Sequence, residues 1–120
     1  GSRTAFKAGA HDIRRAHGWP GVNMTNNGVE FNDRTWYSQG HYALTADAES
    51  ESSTITKVEF GKSVNGGVNW SAIEDTTAPY SAVFNTSSSL GQQVVIFRAR
   101  SFDAAGRKSL FDANLIWITN

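Results

Sequence analysis

From residue 41 onward, apolar residues recur at every second position, in short runs closed by Gly, Asn, Asp or Ser. A period of two suits a strand with one face buried, whereas a helix needs a repeat near 3.6 to form a stripe. The runs are 41–46, 55–60, 70–73, 80–84, 93–102 and 115–118. Between them stand the polar stretch 47–53, the turn cluster Asn65-Gly66-Gly67, the segment 85–89 and the break Asp103-Ala104-Ala105-Gly106. Short strands at this spacing predict an all-β fold, an antiparallel β-sandwich. Pro79 lacks an N–H, so it belongs at an edge or where the chain crosses between sheets.

Taking alternate residues as inward gives a core of Leu44, Ala46, Ile55, Val58, Phe60, Tyr80, Val95, Phe97 and Ala99. The chain has no Cys, which excludes disulfides, thiolate metal sites and cysteine nucleophiles. The core alone must therefore hold the domain, and 7 Phe, 4 Trp and 3 Tyr provide the large side chains. The same phase turns Val94, Ile96 and Phe102 outward beside Arg98 and Arg100. Monomers seldom leave such a patch bare. A cover by the N-terminal segment is expected, through Ile13, Val22, Met24 or Phe31; an interface with a neighbouring domain is the other reading.

Residues 3–40 are expected to form an extension packed on a sandwich of residues 41–120. Asn26-Asn27-Gly28, between Val22-Asn23-Met24 and Val29-Glu30-Phe31, predicts a hairpin in this extension. Residues 10–17 suit a helical turn or two, ended by Gly18 and Pro20. Gly1-Ser2 reads as a cloning scar and the remainder as a piece of a longer protein.

Four segments carry a family likeness: Leu44-Thr45-Ala46-Asp47-Ala48, Ile55-Thr56-Lys57-Val58-Glu59-Phe60, Asp75-Thr76-Thr77-Ala78-Pro79-Tyr80, and the run from Phe97 to Gly106. Their order and spacing resemble the bacterial immunoglobulin-like domains found in tandem in secreted and cell-surface proteins. The resemblance covers roughly residues 41–120. It implies an immunoglobulin-like sandwich and a secreted or cell-surface, non-catalytic module, and it carries over no functional residues. Two departures stand out: the long turn of residues 61–69, and residues 3–40, which have no counterpart.

The chemistry-bearing motifs are few. Eleven Lys+Arg balance eleven Asp+Glu, so there is no basic footprint for nucleic acid. No apolar run approaches the roughly 20 residues of a membrane span, and membrane insertion is not expected. Ser63-Val64-Asn65-Gly66-Gly67-Val68-Asn69-Trp70 resembles the Asp-box hairpin, with Asn65 in place of Asp, which is a structural element. His11, His17 and His41, with Asp12, lack the spacing of a zinc site, and Asp47, Glu49 and Glu51 alternate without the glycine turn of a calcium loop. No metal or cofactor is expected. No nucleophile elbow, phosphate loop or carboxylate pair appears, so an enzyme is not expected.

Aromatic residues remain. Trp19, Trp36, Tyr37 and Tyr42 fall in or beside the segment that the family pattern leaves unexplained. Flat aromatic faces suit the C–H side of a pyranose ring, and Asn23, Asn26, Asn27, Asn32 and Gln39 offer hydrogen bonds nearby. The candidate ligand-binding residues are Trp19, Trp36, Tyr37 and Asn27, with a polysaccharide or cell-surface glycan as partner, alongside neighbouring domains of the same chain. The competing expectation is a structural spacer or adhesion module in which the tryptophans are core.

Overall fold

Alternation becomes pairing in the computed structural model, which describes residues 19–50, 53–86 and 93–119. The helical turn expected over residues 10–17, with His11, Asp12, Ile13 and His17, lies outside the described residues, as does Glu51. Eight strands are described: β1 (Gly21–Asn26), β2 (Trp36–Ser38), β3 (Gly40–Glu49), β4 (Ile55–Ser63), β5 (Ser71–Asp75), β6 (Tyr80–Thr86), β7 (Gln93–Asp103) and β8 (Asp112–Thr119). One sheet runs β1-β3-β6 and the other β2-β8-β7-β4-β5. The two face each other as an all-β sandwich. Every pairing is antiparallel except β2 with β8, which is parallel.

The sandwich interior follows the predicted phase. Leu44, Val58, Phe60, Val95, Phe97 and Ala99 are fully buried, Tyr80 nearly so, and Ala46 and Ile55 pack partly buried against them. Phe97 is the hub. Its ring lies 5.6 Å from Phe31, 5.6 Å from Tyr42 and 6.0 Å from Phe84, so one side chain of β7 touches rings of β3, β6 and the loop after β1.

The segment read as an extension is built into both layers, because its described part gives β1 to one sheet and β2 to the other. The turn at Asn27-Gly28 forms as expected, with both residues at positive φ and paired bonds between Asn26 and Val29. The hairpin stops there. Its next ladder donor, the Met24 N–H, bonds instead to the buried Asp112 carboxylate at 2.8 Å, and Ser101 Oγ donates to Gly21 O at 3.1 Å. Side chains of the facing sheet thus occupy the outer edge of β1, and residues 29–31 are released to send Phe31 into the core.

The polar stretch expected as a solvated link after residue 46 is in part strand, since β3 continues through Asp47 and Glu49 to pair with β1. Between β5 and β6 the chain crosses from one sheet to the other at Pro79, where the Ala78–Pro79 bond is cis. Asp75 accepts from Ser81 N and Thr77 N across this crossing, and those two bonds hold its carboxyl below the usual carboxylate range.

Truncating the hub should be expensive. Phe97→Ala is expected to lower stability by about 3–5 kcal/mol in urea unfolding; a loss below about 1 kcal/mol contradicts the packing described.

Candidate functional site

Strand alternation decides where the candidate residues go. On β2, Tyr37 turns inward, its ring 5.8 Å from Phe31 and 6.2 Å from Tyr42. Its hydroxyl accepts from Asn32 N at 2.8 Å. Trp36 therefore points outward and is 49% exposed. It does not stand alone: β2 pairs in register with β8 through Trp36 and Trp117, and the two rings tilt together with centroids 5.3 Å apart. Trp117 braces Trp36, whose remaining face looks to solvent.

Two residues further along β2, Ser38 borders a cleft of about 490 Å³ that also involves Asn26, Asn27, Tyr37, Gln39 and His41. The left-handed Asn27 (φ 51°) places its exposed side chain on the rim. The Tyr42 hydroxyl, at the floor, donates to Ser38 O, and burial raises its pKa, with Tyr37 adding to the effect. Asn27 and Tyr37 are thus brought together, and Trp36 lies on the adjoining outer face. Trp19 is elsewhere. It is 37% exposed at the entry to β1, in a second cleft of about 380 Å³ with Arg100, Arg107, Lys108 and Phe111.

The outward patch on β7 is real; Ile13, one of its expected covers, lies outside the described residues, and the other three do not cover it. Val22, Met24 and Phe31 are buried in the core between the sheets, so they cannot lie over the outer face. Cationic side chains lie over the rings instead. Arg98 Cζ lies 3.6 Å from the centroid of Trp70 and 3.9 Å from Phe111; Arg100 Cζ lies 4.3 Å from Phe111, and Lys57 Nζ 4.6 Å from Phe102. Planar cations stack on aromatic faces while their alkyl stems cover the sheet. Burial pushes the Arg98 pKa down; nearby Glu59 opposes this and Arg100 adds to it. Val94, at 40% exposure, is left open beside Trp117, its partner in the ladder.

The Asp-box-like segment has a structural job. Ser63 Oγ accepts from Gly67 N at 2.9 Å, Asn65 Oδ1 accepts from Asn69 N at 2.9 Å, and Trp70 Nε1 donates to Gly67 O at 2.9 Å. Trp70 then lies flat on β4, where a Cβ on Gly61 would come within 3.1 Å of its ring. Among the described residues no cluster of three or more His, Asp or Glu is arranged to hold a metal ion.

Two stacked sheets with this strand order define an immunoglobulin-like antiparallel β-sandwich. The chain is similar to the fibronectin(III)-like modules of Clostridium thermocellum CbhA, at 18% identity and TM-score 0.55, over 85% of this chain and 46% of that one. It is also similar to an engineered protein, at 14% identity and TM-score 0.53, over 84% of this chain and 20% of that one. The chain therefore spans less than half the length of either. No family model and no curated protein matches the sequence.

The pairing of Trp36 with Trp117 and the cations around Trp19 had no local signal, because each joins residues far apart in sequence. Acrylamide quenching should separate the tryptophans: Trp19→Phe with Trp36→Phe is expected to remove most of the quenchable emission. Retention of that emission would mean that Trp70 and Trp117 are the open ones.

Proposed function

We propose that the chain is a non-catalytic accessory module of a larger secreted protein, and that it binds a carbohydrate along β2. The observation that carries this is Trp36, half-exposed, braced by Trp117, and two residues from a cleft with hydrogen-bonding side chains. A sugar ring stacks its C–H face on Trp36, and the next unit enters the cleft to meet Asn27, Ser38 and the Tyr37 edge. Bracing matters because a ring already held in place loses little freedom when ligand arrives. The likeness in fold to the fibronectin(III)-like modules of CbhA supports a modular setting.

A spacer or adhesion role without small-molecule ligand is the second reading. It is favoured by Trp70, which is spent on its hairpin and on Arg98, and by open Val94, a contact for an adjoining domain.

Affinity electrophoresis through a panel of soluble polysaccharides decides between them. At least one glycan should retard the chain, and Trp36→Ala should weaken that binding about tenfold or more. A panel without retardation, or an unaffected Trp36→Ala, contradicts the carbohydrate reading.

A further inference from the structure

The two halves of the β2 site belong to different layers. Trp36 faces outward on the five-stranded sheet, of which β2 is an edge strand. The cleft beside it draws Tyr37 and Ser38 from that sheet, and Asn26 and residues 40–43 from the three-stranded one. It lies at the corner where the chain passes from one layer to the other, through Gln39 alone. Gly40, at φ 146°, makes this turn in a conformation that a side chain would strain.

The corner is pinned from both sides. The Tyr42 hydroxyl, from the three-stranded sheet, donates to Ser38 O of the five-stranded sheet. The buried Thr86 hydroxyl accepts from Gly40 N at 3.1 Å and donates to Gly40 O at 3.0 Å. Trp36 is held in turn by the Trp117 ring. A fixed step therefore separates the stacking face from the cleft. A rigid site favours ligands already shaped to it, because bending a stiff ligand costs affinity.

We infer that the ligand is a glycan chain that curves from one sugar unit to the next, and that the site discriminates against straight chains. The inference rests on the carbohydrate reading and narrows it. In a straight, ribbon-like chain successive ring planes stay parallel. A unit stacked on Trp36 then carries its neighbour onward along the same outer face, away from the cleft. In a curved chain each linkage tilts one ring against the last. The unit after Trp36 then passes over the β2 edge and meets Asn27 on the rim.

Affinity electrophoresis of the full chain separates the two shapes, with soluble starch and laminarin as curved chains and hydroxyethyl cellulose and glucomannan as straight ones. At least one curved glycan should bind about tenfold more tightly than either straight one. Two variants probe opposite sides of the corner: Trp36→Ala, and Asn27→Gly, which keeps the left-handed turn. They should weaken that binding about tenfold and about threefold or more, respectively. A straight glycan that binds as tightly as the curved ones overturns the inference and leaves the carbohydrate reading standing. So does binding that Trp36→Ala weakens and Asn27→Gly leaves unchanged. Retardation by none of the four overturns the inference, and retardation by no member of the wider panel overturns the carbohydrate reading with it.

Discussion

The Phe97 ring is the contact on which the rest of the molecule depends. It reaches from the five-stranded sheet to Tyr42 and Phe84 of the facing sheet, and to Phe31 from the loop after β1. In a chain without cysteine, nothing covalent substitutes for such contacts. The cluster also sets the phase of β2. Tyr37 packs edge-on against Phe31 and Tyr42, and its neighbour Trp36 must then face outward. The aromatic platform is a consequence of core packing.

The outer face of the larger sheet solves a different problem. Apolar and aromatic residues of β7 would leave a bare surface, yet Arg98 and Arg100 lie across Trp70, Phe111 and Phe102. This arrangement leaves the face part aromatic and part cationic, apolar toward Val94 and Trp36 and charged toward Arg107. The two clefts differ in the same way: one is lined by amides and hydroxyls, the other by cations. A single sandwich thereby presents two chemically distinct surfaces.

Strands β3, β4, β6, β7 and β8 were legible because each carries its own alternation, and side-chain phase follows once the period is known; β5, exposed along its length, was marked only by the turns around it. Local turn chemistry was legible too, at Asn27-Gly28, at Ser63 to Trp70 and at the glycine with positive φ that closes the Asp103 turn. What the sequence concealed depends on pairings between distant segments. β2 is three residues long, too short to show a period, and its parallel partner β8 lies some eighty positions later. The missing arm of the hairpin was hidden for a similar reason, since only the fold brings Asp112 to the Met24 N–H. Tyr37 and Asn27 were proposed as neighbours and do share a cleft, while Trp19 was grouped with them by sequence proximity alone.

Through-space proton NMR tests the Phe97-centred account most directly. Nuclear Overhauser contacts are predicted from the Phe97 ring to the rings of Phe31, Tyr42 and Phe84, with the Trp36 indole contacting Trp117 and none of these. Contacts between Trp36 and Phe97, or no contact from Phe97 across to the β3–β6 sheet, would contradict the account.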